Sequence, residues 1–315
     1  MAALTMVDRT KGYLVIDDIV LDKEGPKIAG IAWLYSSSLG QKVCALNVVV
    51  LGWTNGKVFI PLTFRFWKPP RTKIKGEPSK DAFDGSPFQT KLDLAVEMLG
   101  WAKQRNFTPT AVLFDAYYLA KPVLKFLRKA RWQWVSRIKG NRNLKLGRMK
   151  FQPKQWTELA RTRQAPSLSR SVKATLAGWG NARVIAVKRR SEQEPRFLIG
   201  SNPEWGRGTI ERLYGYRWDI EVAFRNSRQL VGLNDCQCRI FGAQENHVAL
   251  VFLSYLFVLA QSKPSDTVGD TVTRLASQPI VVRAVPNIQT VRPIKPERRK
   301  RKQHAHPIIV SADSA

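Results

Sequence analysis

The stretch TAVLFDAYYL, residues 110–119, restricts the fold more than any other. It is a short apolar run that ends in Asp115, too brief for a helix, and it reads as a buried strand. On one side lies TKLDLAVEMLGWAKQRNF (90–107), where Leu92, Val96, Leu99 and Ala102 or Lys103 recur at helical spacing. On the other lies KPVLKFLRKAR (121–131), a basic helix, followed by WQWVSRIKGN (132–141), another strand. Upstream, four segments are rich in β-branched and aromatic residues: GYLVIDDIVLDK (12–23), IAGIAWLYSS (28–37), QKVCALNVVVLGWTN (41–55) and KVFIPLTFRFWKP (57–69). Gly40 and the TNG at 54–56 punctuate them as turns, so they predict an antiparallel meander. The order ββββ-α-β-α-β over residues 10–141 implies an α/β protein with a mixed sheet crossed by helices. The polar segment 71–88 is expected to be a mobile loop.

Residues 142–206 break that rhythm. RVIAVKRR and PRFLIGS flank a charged turn at 191–194, which predicts a β-rich insertion. Residues 207–262 return to helix, with Thr209 as the expected N-cap of a first helix and HVALVFLSYLFVLAQ (247–261) as a core helix behind it. Periodicity decays beyond 263. The segment 263–315 is expected to be a disordered tail, basic at RPIKPERRKRKQHAHP (292–307).

Charge narrows the partners. Lys and Arg number 52 against 24 Asp and Glu, a net charge of +28. That excess calls for a polyanion. Its spread over 121–131, 137–150, 183–190 and 294–302 favours nucleic acid over a membrane surface, where the cations would gather in one amphipathic segment. The run 247–261 is too short to span a bilayer comfortably. The N-terminus has no signal-peptide pattern. Cys44, Cys236 and Cys238 form no CxxC pair and there are three His, so a zinc site or disulfide framework is not expected. A metal here would be held by carboxylates, which points to Mg²⁺ or Mn²⁺.

The segment LYGYRWDIEVAFRNSRQLVGL (213–233) carries the strongest chemical signal. At about 100° per residue, with Tyr214 at zero, Arg217 falls near 300°, Glu221 near 340° and Arg228 near 320°. Leu213, Ile220, Phe224 and Val231 fall on the adjoining apolar stripe. Arg212, Asp219 and Asn226 are expected to be solvated. An i,i+4 surface ion pair would explain Arg217 and Glu221 alone. It would not explain a four-residue stripe beside the core. Two apolar strands also end on acids, at Asp17–Asp18 and at Asp115. Adjacent strands would place those ends about 5 Å apart. If the helix brought Glu221 to the same edge, the three carboxylates would repel unless divalent cations neutralised them. Two such ions about 4 Å apart would clamp the attacking and leaving oxygens of a phosphodiester.

These motifs resemble the DDE transposases of bacterial insertion sequences, in the subgroup with a Y-x2-R-x3-E-x6-K signature. Tyr214, Arg217 and Glu221 match in place, and Arg228 stands where the family usually has Lys. LVIDDIVLDK looks like the first-Asp strand, AVLFDAYY like the second and WVSRIKGN like the strand after it. The resemblance covers roughly residues 10–262. It implies a ribonuclease H-like fold with a β-rich insertion before the Glu-bearing helix, and strand cleavage and strand transfer using two Mg²⁺ ions, which Mn²⁺ may replace. It also implies a homodimer on paired DNA ends, in the bacterial cytoplasm and on the nucleoid when bound. Asp17, Asp115 and Glu221 would be the catalytic metal ligands. The D-x-T spacing of the family favours Asp17, with Asp18 as the alternate ligand, although Ile19 stands where the Thr would be. Strand alternation puts Asp17 and Asp18 on opposite faces without saying which face meets metal. Tyr214, Arg217, Arg228 and Lys139 would hold phosphates.

The family's N-terminal helical domain, which reads terminal repeats, has no counterpart before residue 12. The chain is therefore expected to be truncated or served by that domain elsewhere. The alternative is a catalytically silent remnant that binds DNA or inhibits a full-length partner. Trp156 and Trp179 are expected to pack in the core, with base stacking as the other reading. His247 is expected at a helix terminus near the site, not as a ligand.

Overall fold

The computed structural model describes residues 2–25, 27–36, 40–71, 80–155, 171–188 and 195–278. After a short helix α1 (Ala2–Thr5), strand β1 (Tyr13–Asp22) pairs antiparallel with β3 (Gln41–Thr54) along its whole length, from Tyr13↔Thr54 to Asp22↔Ala45. The far edge of β3 is shared: β2 (Ala32–Ser36) takes its first residues and β4 (Phe59–Trp67) the remainder. On the other side of β1, β5 (Ala111–Phe114) runs parallel to it and β6 (Trp134–Ile138) parallel to β5. The crossovers are helices α2 (Lys91–Gln104) and α3 (Lys121–Ala130), as a parallel pairing requires. The resulting order, β4-β3-β1-β5-β6, is that of a ribonuclease H-like sheet.

The sheet then continues. β11 (Arg196–Gly200) pairs with β6, and β10 (Gly180–Val187), β9 (Ser171–Leu176), β7 (Leu144–Leu146) and β8 (Met149–Phe151) follow outward. The segment expected as an insertion is thus β-rich, and it extends the main sheet to eleven strands.

Strand alternation divides the core in two. Leu14 and Ile16 point to the face covered by α2 and α3, where Met98, Leu99, Leu124 and Leu127 are fully buried. Val15, Ile19 and Leu21 point to the opposite face. That face is covered by α4 (Arg207–Tyr216), α5 (Trp218–Leu230) and α6 (Phe241–Gln261) through Ile210, Leu213, Ile220, Phe224, Val251 and Phe252. Helix α6 is long and apolar enough, by length and composition, to cross a membrane. Here Val248, Val251, Phe252, Tyr255, Leu256 and Val258 are buried against the sheet and its helices.

Four expectations are corrected. The strand that carries Asp17 and Asp18 does not end there: it continues to Asp22, because β3 still pairs with it after the parallel partner β5 has stopped at Phe114. The signature helix is not continuous. Arg217 lies between α4 and α5, where Arg217 N–H donates to Tyr214 O and Ile220 N–H to Arg217 O, a tighter i→i+3 pattern. Helix α6 begins at Phe241 and not at His247, so His247 lies inside it. In the expected tail, Val268–Ser277 forms an amphipathic helix, α7, started by a capping box between Thr267 and Asp270. Residues 279–315 and 72–79, which include the basic run and most of the expected loop, lie outside the described residues.

One close approach is testable. Gly52 on β3 sits beside a register shift, and a Cβ there would lie 2.0 Å from the Phe59 ring. Gly52→Ala should destabilise the fold by about 1–3 kcal/mol through overpacking. The check is the midpoint of chemical unfolding, which an accommodating Phe59 ring would leave unchanged.

Candidate functional site

The acids sit where the sheet changes its pairing. Ile16↔Phe114 is the last parallel pair of β1 and β5, so Asp17 and Asp115 follow it side by side. Asp115 accepts from the backbone N–H groups of Tyr117 (2.9 Å) and Tyr118 (3.4 Å), which fix the turn into α3. Its backbone carbonyl accepts from Ser136 Oγ at 3.0 Å, tying the turn to β6.

Asp17 and Asp18 diverge. Asp18 shares the face of Leu14 and Ile16, and its carboxylate accepts from Asn47 Nδ2 (2.7 Å), Lys91 Nζ (2.9 Å) and Tyr118 Oη (3.0 Å). Lys91 is the first residue of α2, so Asp18 fastens that helix to the sheet. Asp17 shares the face of Val15 and Ile19, under α5. There Arg217 Nη1 donates to Asp17 Oδ2 at 2.6 Å, and Arg217 Nη2 forms an ion pair with Glu221 Oε1. The guanidinium is about 12% exposed and bridges strand and helix.

Burial raises the Asp17 pKa to about 7, with Asp115 and Asp18 adding repulsion and Arg217 opposing them. Burial also raises Asp115, against its two backbone hydrogen bonds. Burial alone would lower Arg217, but Asp17, Tyr214 and Glu221 outweigh it and hold it above its ordinary value. The Tyr214 ring stacks on this guanidinium, 5.4 Å from its centroid, and burial raises the phenol. Asp17 and Asp115 thus favour their protonated forms, while Arg217 keeps its charge.

Asp17, Asp115 and Glu221 all line one cleft of about 1040 Å³, and so do Tyr214, Arg217, Arg228 and Lys139. Lys139 is exposed on the wall. Arg228 is half-buried. Its Nη2 donates to Val20 O at 2.8 Å, and burial lowers its pKa. Sequence reasoning missed Arg137, Lys154, Arg196 and Arg225 on the same wall. Arg137 was legible, since it stands two residues from Lys139 on a strand. Lys154 and Arg196 were not, because only the sheet extension brings them here.

The cleft suits a hard divalent cation in kind: its acids are carboxylates, and no Cys or His lines it. Among the described residues no group of three or more such side chains is gathered to hold a metal ion. Between Asp17 and Glu221 the positive charge is supplied by Arg217.

Several flanking residues differ from expectation. Asp219 is not solvated: it accepts from Thr54 Oγ1 at 2.5 Å, and burial raises its pKa. Asn226 is half-buried, while Arg212 is exposed as expected. Trp179 packs edge-on against Trp134 at 5.4 Å and donates to Ser201 O, so its ring belongs to the core. Trp156 lies outside the described residues. His247 Nε2 lies 2.9 Å from Gly232 O, tying α6 to the chain after α5.

A sequence model described as "DDE superfamily endonuclease" matches residues 1–193, the part that carries both aspartates and ends before Glu221. No curated protein matches the chain. Among solved structures, endonuclease V of Ciona intestinalis, crystallised with a 24mer DNA containing an inosine followed by a ribo-adenosine, is similar at 11% identity. It covers 68% of this chain and 86% of its own, at a TM-score of 0.30, which is too loose to carry an argument.

The raised Asp17 pKa makes a sign-definite prediction. The folded protein keeps the Asp17 proton up to about pH 7, whereas the unfolded chain loses it near the ordinary value of 3.8. This stabilisation is complete below pH 3.8 and is lost as pH rises through 7. Thermal unfolding in chelator should show the parent losing stability over that window relative to Asp17→Asn. Parallel pH curves for the two proteins would contradict the burial of Asp17.

Proposed function

The chain belongs to the DDE superfamily endonucleases, and from that membership we propose that it is the catalytic domain of an insertion-sequence transposase, cutting DNA and transferring strands. One observation carries the reading: Asp17, Asp115 and Glu221 line a single cleft together with Tyr214, Arg217, Arg228 and Lys139. Two Mg²⁺ ions, or Mn²⁺ in their place, would supply an activated water and neutralise charge on the reacting phosphate. Asp17, Asp115 and Glu221 are the residues that would hold them. Asp18 is left to its structural partners Asn47, Lys91 and Tyr118.

The cations have a separate task. Arg137 and Lys139 stand exposed on the wall, where they can meet phosphate oxygens without first losing a partner acid. Arg217 cannot: to grip phosphate it must exchange Asp17 or Glu221 for it. Its planar fork suits that exchange, since it pairs bidentately with phosphate as with carboxylate. Arg228, anchored on Val20 O, is better placed to set the floor of the cleft than to reach outward. The substrate is double-stranded DNA, at element ends and then at target, with a homodimer holding paired ends on the bacterial nucleoid. In the transfer step the freed 3′-OH attacks the target phosphorus, and the target's own 3′ oxygen leaves.

The Arg217 bridge supports a second reading, because it gives Asp17 and Glu221 a protein cation as their partner. On that reading the chain binds DNA without cutting it. The deciding assay is nicking of DNA by the full chain with Mg²⁺ or Mn²⁺. Asp115→Asn and Glu221→Gln should each lower the rate by about a hundred-fold or more while leaving DNA affinity within about two-fold. Unchanged nicking in both variants would refute the site, and binding without any nicking by the parent would select the second reading.

A further inference from the structure

The rim of the cleft carries a feature that cleavage does not use. Trp33 and Tyr35 on β2 are 68% and 63% exposed, the most exposed aromatic side chains among the described residues. They are two apart on a strand, so they project from one face. Register places Trp33 opposite Cys44 and Tyr35 opposite Lys42. Following those pairs across the sheet puts both rings on the face of Asp17, and not on that of Asp18. Tyr35 itself lines the cleft that holds the acids.

An open pair of large rings on a terminal strand is a liability in water unless something covers it. The neighbours say what would. Lys42 is exposed beside Tyr35, and Arg225 and Arg228 line the same cleft. An apolar protein surface would have to strip water from these cations, whereas a nucleic acid strand would use them. The spacing fits as well. Alternate residues of a strand are about 6.8 Å apart. That is about twice the 3.4 Å rise of a nucleic acid strand, the gap that one base fills when stacked on both faces.

We propose that Trp33 and Tyr35 form a stacking site for an unpaired base of the DNA strand that leaves the catalytic cleft, with Lys42 and Arg225 taking its flanking phosphates. This rests on the DNA reading given above. It adds a preference for unpaired over fully paired strands near the reacting phosphate.

The test measures binding by fluorescence anisotropy, with the full chain and no metal, on a labelled thymine-only single strand and on a duplex of the same length. The Trp33→Ala/Tyr35→Ala variant should lose about ten-fold or more in affinity for the single strand and stay within about two-fold for the duplex. Trp33→Phe/Tyr35→Phe should keep most of the single-strand affinity, because the stacking faces remain. Single-strand binding unchanged by the double alanine substitution would overturn the proposal. So would an equal loss on both DNAs, or a dimer that the substitution turns to monomer without any change in DNA binding. A parent that binds neither DNA would overturn the DNA reading itself, and this inference with it.

Discussion

The guanidinium of Arg217 joins three parts of the molecule. It reaches Asp17 on β1, pairs with Glu221 one helical turn ahead, and lies against the ring of Tyr214 behind. It also occupies the break between α4 and α5. The interaction therefore sets the height at which the second helix crosses the sheet, and with it the position of Glu221. A buried cation costs several kcal/mol unless it is well paired. Here two carboxylates and an aromatic face share the compensation, though its Nε finds no partner. The bridge is strong because it is needed on both sides: Asp17 without it would be a buried acid facing two others.

The pair Asp17–Asp18 shows how one strand can serve two tasks. Adjacent residues on a strand face opposite ways. Asp18 spends its charge on the α2 side, on Lys91, Asn47 and Tyr118, and helps seat a helix. Asp17 faces the other helix layer and the cleft. The division costs stability, because three acids crowd one sheet edge. Asp17 and Asp115 accordingly hold their protons more tightly than ordinary carboxyls do.

Much of the fold was legible from local pattern. Apolar runs of strand length, glycine-marked turns and two helical stretches are local signals, and they recovered β1, β3 to β6, α2 and α3 within a few residues. The helical stripe brought Tyr214, Arg217, Glu221 and Arg228 to one side even though the real chain breaks at Arg217, because the turn there stays near the right-handed helical region at φ −59° and ψ −26°. What was illegible was long-range. The Thr54–Asp219 bond spans 165 residues, and the role of Asp18 depends on Asn47, Lys91 and Tyr118, up to 100 residues away. No periodicity encodes such pairings. Helix α7 was a different kind of miss, since its Thr267–Asp270 capping box and the apolar stripe after it both stood in the sequence.

The sequence by itself determined the alternation of strands and helices, the excess of basic charge and the acids that end or interrupt apolar strands, because each is a property of neighbouring residues. It also determined that Asp17 and Asp18 would part company, since a strand leaves no other choice. Only the tertiary structure decided which of them meets Glu221. That depends on which face α5 covers, and the face is set by packing Ile220 and Phe224 against Val15, Ile19 and Val48 from distant parts of the chain. The same docking put Arg217 between the acids and Tyr35 on the rim of their cleft, because side chains 186 and 182 residues away can be placed there only by the fold.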